Sequence, residues 1–346
     1  MYGLIAVLQK VGRESPLCEG FEYVKHRNTR DFFPTVQKKR ITVIRFFVIY
    51  IHFVLTMYVH IDIMILIYTQ YPFDVERGVI MGTAKKIAFI NGKGGCGKTT
   101  SIFHVAGVYA QQKQKVLVID LDYQQNTTDV LLMNTETRSN KTIYDFFLGN
   151  ATPSEITSKS LFQSRGNAKA KYYGVDCMSA DINLQNGHLL RDVDGAQIKS
   201  QLDNFVESRG YHVVLIDMPP SSYEINNIVF QYIADCAVIP MSSDVFSVVG
   251  YGKIMEVMNH ARDINPNFQI IGVFLARYMA NCIVDQYIRE QMLEFDTFID
   301  IQIPLASDLR ESIMFGRPIS FYKNHSKSKE AFEKLVSAIE LKLSMF

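Results

Sequence analysis

Apolar residues in this chain arrive in two alternating rhythms. Short, near-continuous runs at Lys86–Asn91, Lys115–Asp122, Val175–Ser179, His212–Met218, Cys236–Met241, Ile270–Ala276 and Phe298–Ile303 read as buried strands. Between them, apolar positions recur at helical spacing. Lys98–Gln112 carries Ile102, Val105, Ala106, Tyr109 and Ala110 on one face, and Ala196–Ser208, Val245–Ile264 and Val284–Phe295 behave alike. Ser326–Met345 reads as a closing helix with Ala331, Phe332, Leu335, Val336, Ile339 and Leu343 aligned. Thr135–Lys171 is polar and irregular, with one short helix at Ile143–Leu148. Strands that are apolar throughout, alternating with helices, predict an α/β fold: a mostly parallel, doubly wound sheet with helices on both faces.

Residues 1–80 break this rhythm. Residues 46–67 are almost continuously apolar, long enough to span a bilayer, and follow Lys38, Lys39, Arg40 and Arg45. His52, His60 and Asp62 fall inside the stretch, where ionisable groups are costly. Two readings compete with a membrane segment: an unusual soluble extension, and a start of translation at Met81. Glu76-Arg77-Gly78 can be encoded by purine-rich codons resembling a ribosome-binding site, and Met81 opens a natural start. On that reading residues 1–80 are an extension outside the working protein, and 81–346 form the functional domain.

Composition excludes some classes. Net charge is +1, so no global basic field announces nucleic acid, and any such contact needs a local patch. The five cysteines, Cys18, Cys96, Cys177, Cys236 and Cys282, contain no C-x-x-C pair. That spacing suits a reducing cytoplasm and argues against a disulfide framework or a zinc site.

The chemistry is concentrated in three strand ends. Gly92–Thr99 reads GKGGCGKT and satisfies the phosphate-loop pattern G-x-x-x-x-G-K-[ST]. It sits between a predicted strand and a predicted helix, as that motif requires. Gly94, Gly95 and Gly97 let backbone N–H groups converge on phosphate oxygens, and the helix N-terminus adds partial positive charge. Cys96 and Thr100 complete the cradle, with Cys96 a small filler. Lys98 reaches the β- and γ-phosphates, and Thr99 offers a hydroxyl to Mg²⁺. Lys93 is a second lysine at a position the general pattern leaves open. Downstream, VLVIDLD places Asp120 and Asp122 at the next strand end, where paired carboxylates can serve a metal and an attacking water. HVVLIDMPP then ends a strand in Asp217, the form of a Walker B aspartate, with Pro219-Pro220 forcing a sharp exit.

Lys93–Thr100, Val116–Thr128 and His212–Ser221, with Ala234–Ile254 and Ile303–Tyr322 behind them, resemble the ParA/Soj family of partition ATPases within the MinD/ParA group of P-loop NTPases. The resemblance covers Met81 onward and not residues 1–80. It implies ATP and Mg²⁺ as cofactors, and Lys93 crossing a dimer interface to the partner's nucleotide. Lys98 matches the in-cis phosphate lysine, Thr99 and Asp217 the Mg²⁺ positions, and Asp122 the carboxylate that aligns water, with Asp120 beside the metal. It departs from the family at Tyr123, where proline is usual, and at Gln125, where glycine is usual. The resemblance further implies a homodimer in the ATP state, non-specific DNA binding, stimulation by a ParB-like centromere-binding protein, and a cytoplasmic, nucleoid-associated location. Candidate DNA contacts are Arg277, Arg289, Arg310, Arg317, Lys323, Lys327 and Lys329.

Rival readings are weaker in the sequence. A MinD-like membrane-cycling ATPase shares the signature lysine, but Leu341–Phe346 is too short and weakly charged for its membrane helix. A tyrosine kinase would end in a tyrosine cluster, and here the last is Tyr322. The cysteines do not match a nitrogenase-reductase-like carrier. A scaffold that never hydrolyses would lack a carboxylate at Asp122.

Overall fold

A computed structural model describes residues 84–345, apart from 165, 168, 221, 243–258, 260 and 264. The expectations for residues 1–80, the apolar stretch 46–67 and the start at Met81 lie outside the described residues. So does most of the predicted helix Val245–Ile264.

The elements follow the two rhythms. In chain order they are β1 (Lys85–Phe89), α1 (Lys98–Gln111), β2 (Val116–Asp120), α2 (Asn126–Leu131), α3 (Ile143–Phe147), β3 (Thr157–Phe162) and β4 (Lys171–Met178). There follow α4 (Gly195–Arg209), β5 (Val213–Asp217), α5 (Tyr223–Ile228), β6 (Cys236–Ser242), β7 (Gln269–Tyr278), α6 (Ile283–Met292) and β8 (Phe298–Pro304). The chain closes with α7 (Ser307–Met314), α8 (Ile319–Tyr322) and α9 (Lys327–Ser344). The strands form one sheet of order β3-β4-β2-β5-β1-β6-β7-β8. Every described pairing is parallel except β3 with β4.

Strand alternation divides the core into two layers. Ala88, Leu117, Ile119, Val214, Ile216 and Ile239 belong to one, shared with Ile143, Phe146, Ile198, Leu202, Ile225 and Ile288. Ile87, Phe89, Val116, Val118, Leu215 and Val238 belong to the other, shared with α1 and with Phe332, Leu335, Val336 and Ile339 of α9. Both faces of the central strands are therefore dry, and each fully buried large apolar side chain contributes about 1.5–3 kcal/mol. α1 lies close to the segment before α8. A Cβ added at Gly107 would stand 2.1 Å from Pro318 Cβ, so only glycine admits that approach.

The strand β3 lies inside the stretch read from sequence as irregular. Its inward positions are Ser158, Ser160 and Phe162, so two of three carry hydroxyls and the apolar alternation is hidden. Those hydroxyls are satisfied: Ser160 Oγ donates to Leu131 O at 2.5 Å, and Ser139 N donates to Ser158 Oγ at 2.9 Å. Pairing with β3 also lengthens β4 beyond the predicted Val175–Ser179, back to Lys171.

Candidate nucleotide site

The strand ends of β1, β2 and β5 meet in register. Phe89 and Asp120 both pair with Asp217, which sets the phosphate-loop entrance beside the two aspartates. This is the carboxyl edge of the parallel sheet, where such folds bind ligands.

The loop from Gly92 to Gly97 is fastened at both ends. Asn91 donates through Nδ2 to Pro240 O at 2.8 Å and accepts at Oδ1 from Lys93 N at 2.9 Å. Gly97 takes φ 99° as the residue before α1, a left-handed geometry that excludes most side chains. Ser101 N then closes the first helical bond to Gly97 O at 2.8 Å. The two lysines are treated differently. Lys98 is buried and donates from Nζ to Asn91 O at 3.2 Å, whereas Lys93 is exposed on the rim with Gly94 and Gly95. Cys96 is buried, and burial pushes its thiol up, so it packs rather than reacts.

Asp217 is the centre of the constellation. Its Oδ2 accepts from Thr99 Oγ1 at 2.9 Å and from Thr127 Oγ1 at 2.5 Å. Its Oδ1 is buried and has no hydrogen-bond partner among the described residues. A buried carboxylate oxygen without a donor is costly unless something else occupies it, and a hard cation is the partner such an oxygen suits. Burial raises the Asp217 carboxyl against the opposing pull of Thr127, Lys98 and Thr99, and leaves it at about 6.

Asp120 sits differently. Its Oδ2 accepts from Thr128 N at 2.7 Å and Thr128 Oγ1 at 2.8 Å, and its Oδ1 accepts from Asp122 N at 3.1 Å. Both oxygens, expected beside the metal, are thus engaged by the β2–α2 turn. Burial and the neighbouring Asp217 hold this carboxyl well above its ordinary range. Asp122 is half-buried at the turn and accepts from Gln124 N at 3.0 Å. Gln125 follows at φ 59°, keeping the left-handed geometry of the glycine usual there, and Tyr123 packs against the core.

A cavity of about 190 Å³ adjoins the loop. It opens beside Gly97, Thr100 and Ser101 and is walled by Ile303, Leu305 and Leu309. Among the candidate DNA residues, Arg277 donates from Nη1 to Gly95 O at 3.0 Å. Arg289 makes a two-pronged pair with Asp300, at 2.7 Å and 2.5 Å. Arg317 is bonded to Gln163, and Lys329 pairs with Glu333 at 3.1 Å. Arg310, Lys323 and Lys327 are exposed. Sequence reasoning passed over the roles of Asn91, Thr127 and Arg277. The first two stand inside or beside the quoted motifs, and their polarity next to a buried strand was the available signal.

An AAA-domain family model matches residues 84–270, more than half of the chain. The chain belongs to that family. Within it, this AAA-domain protein is a P-loop ATPase of the ParA/Soj type. It is similar to the chromosome partitioning protein ParA of Caulobacter vibrioides, 27% identical over 261 residues, covering 73% of this chain and 92% of the relative. It is also similar to the chromosome-partitioning ATPase Soj of Thermus thermophilus, at 22% identity over 75% of this chain and 97% of that one. In fold it resembles the septum site-determining protein MinD of Pyrococcus horikoshii complexed with Mg-ADP. There the TM-score is 0.58 at 20% identity, covering 76% of this chain and 98% of that chain. Among the described residues, no helix is long and apolar enough to cross a membrane.

Proposed function

We propose that this protein is a partition ATPase that binds ATP with Mg²⁺, pairs with a second copy around the nucleotide, and hydrolyses ATP to ADP and phosphate. The observation that carries the reading is the split between the two loop lysines. Lys98 is buried and tied to the loop's own entrance, where it serves a phosphate in cis; Lys93 is presented on the exposed rim, where it can serve a partner's nucleotide.

The residues divide the work accordingly. Backbone N–H groups from Gly94 to Thr100 hold the phosphates, and the adjoining cavity receives the base. Thr99 and Asp217 hold Mg²⁺, which the unfilled Oδ1 of Asp217 accommodates. Bound there, the metal supplies charge neutralisation for the phosphates. Asp122 orients the attacking water, and Asp120 fixes the turn that presents Asp122. ATP between two copies makes the nucleotide part of the interface, so hydrolysis loosens the pair. In the ATP state, Arg310, Lys323 and Lys327 contribute to non-specific DNA binding, and a ParB-like protein stimulates turnover.

The test separates binding from turnover. Lys98→Ala abolishes ATP binding, whereas Asp122→Ala keeps ATP-dependent dimerisation, measured by light scattering, and loses hydrolysis. Unchanged hydrolysis in Asp122→Ala overturns that assignment. ATP-dependent binding to DNA falls steeply with salt; retention on liposomes instead of DNA supports the MinD-like alternative.

A further inference from the structure

A cavity of about 920 Å³ lies at the outer edge of β3 and shares no lining residue with the cavity beside the phosphate loop. One wall is β3 itself, and the other is the connection after α2, from Asn134 to Ser139. Its volume suits a small molecule, but such sites are usually lined by apolar side chains. Here only Leu161 and Ala170 are apolar among the described residues that form the walls. A ligand that matches them is polar throughout.

Charge narrows the class further. Among the described lining residues, Arg138, Lys159 and Lys169 stand against Glu136 and Glu155. Glu155 is already neutralised: its Oε1 accepts from Lys141 Nζ at 2.9 Å, and its Oε2 accepts from Thr152 N at 2.8 Å and Thr152 Oγ1 at 2.9 Å. Three cations are thus set against Glu136. They come from separate stretches of chain, so the fold gathers them. Two are positioned in advance. Arg138 Nη2 donates to Leu132 O at 2.7 Å, and Lys159 Nζ stands 5.2 Å from the centre of the Tyr172 ring. Cations already in place lose less freedom when an anion arrives.

The occupant is compact, because the edge of β3 is closed to another strand. Thr135 Oγ1 donates to Lys159 O at 2.8 Å, and Ser139 Oγ donates to Glu155 O at 2.6 Å. A register shift between Lys159 and Leu161 further breaks the ladder. The cavity also shares an element with the nucleotide site. Arg138 and Ser160 donate to the carbonyls of Leu132 and Leu131, which close α2. Thr127 and Thr128 of the same short helix hold Asp217 and Asp120.

We propose that this cavity is an effector site for a small phosphorylated molecule, whose binding is felt at Asp217 through α2. Arg138 has two arrangements. In one it bonds Leu132 O; in the other its fork engages phosphate and releases the end of α2. The anion favours the second, which is what lets it shift the balance. The effect on Asp217 rests on the nucleotide reading above; the binding does not.

The test uses the full chain and inositol hexakisphosphate as the probe, with excess Mg²⁺ and calorimetry throughout. Arg138→Gln and Lys159→Gln are the variants; both residues are exposed and neither lines the nucleotide site. With Mg-ADP saturating, wild type is expected to bind the probe, and each variant to bind it roughly tenfold more weakly, the scale of one charge-assisted contact. In wild type the saturating probe is expected to shift the Kd for Mg-ADP at least about fivefold, and at the same concentration to shift it less in Lys159→Gln. Absence of saturable binding, or equal binding by wild type and variants, would overturn the proposal. So would a shift of equal size in the variants, which would mean competition in the phosphate loop or capture of Mg²⁺. An unshifted Kd would overturn the link through α2, and displacement of the probe by short duplex DNA would make the cavity a nucleic-acid surface instead. If wild type bound no Mg-ADP, the nucleotide reading and the link would fall, while loss of the probe in the two variants would still decide the site.

Discussion

The ends of β2 and β5 lie side by side and finish in the same residue. Asp120 and Asp217 are register partners and both are fully buried. They differ in what holds their oxygens. Asp120 accepts from two backbone amides and one hydroxyl, spread over both oxygens. Among the described residues, Asp217 receives two hydroxyls on one oxygen and nothing on the other. Backbone amides cannot turn away from an acceptor without moving the chain, whereas hydroxyls rotate. The first aspartate is therefore part of the frame, and the second is held by partners that can be exchanged. A carboxylate at a strand end becomes a binding group when its contacts are replaceable.

The sharpest way to break this comparison is to neutralise each aspartate in turn. Asp217→Asn is expected to lower Mg²⁺-dependent ATP turnover at least about 100-fold, the scale of losing one charge-stabilising group, with thermal stability held or raised. Asp120→Asn is expected to do the reverse. Its amide would face donors, and each buried donor left unmade costs about 1–3 kcal/mol, so the denaturant midpoint falls while turnover per folded molecule changes by less than about tenfold. If Asp120→Asn matched Asp217→Asn in activity at full stability, the division of roles would be wrong.

A pH series sharpens the same point. Both carboxyls are raised by burial, so their stabilising contribution is fully present below the ordinary carboxylate range. It is lost as pH rises through the folded value, about 6 for Asp217. Neither accounts for weakening in acid. His104 runs the other way. It is fully buried, accepts at Nδ1 from Ile319 N at 3.0 Å, and burial lowers it from 6.5 to about 3. Its contribution is present above 6.5 and lost as pH falls toward that lower value, at up to about 1.4 kcal/mol per pH unit. Melting temperatures of wild type and His104→Gln from about pH 7 to pH 5 are expected to show a shallower acid limb in the variant. Parallel limbs would clear His104.

The smallest expected effect is at the turn that Asp120 frames. Gln125 stands at φ 59°, so Gln125→Gly should raise stability by about 0.5–1 kcal/mol, the relief of strain less glycine's added entropy cost. A loss of stability, read in urea melts, would mean that the glutamine side chain contributes more than its backbone costs.

The central strands were legible in the sequence because they are apolar on both faces and end in charged or glycine-rich turns. The placing of Lys98, Thr99 and Asp217 together at the strand ends was legible because their motifs specify local geometry. β3 was not, since Ser158 and Ser160 look polar until Leu131 and Ser139 are placed against them. The different employments of Asp120 and Asp217 were also hidden, because they depend on Thr127 and Thr128 lying within reach of different strands. The helices α7 and α8 were missed for a related reason: both are short, and their buried positions are few. Arg277 looked like any exposed cation until its backbone angle and its bond to Gly95 were known.

The closeness of α1 to residues far along the chain bears on how this protein is made. Gly107 admits Pro318, His104 meets Ile319, and Tyr109 OH donates to Glu340 Oε1 at 2.6 Å. These contacts span more than two hundred residues of sequence. Non-local closures of that kind are slow to form and leave apolar surface uncovered meanwhile. A ribosome therefore delivers the phosphate loop early but the packing that steadies it late. A half-made chain has the letters of the loop without its rigidity.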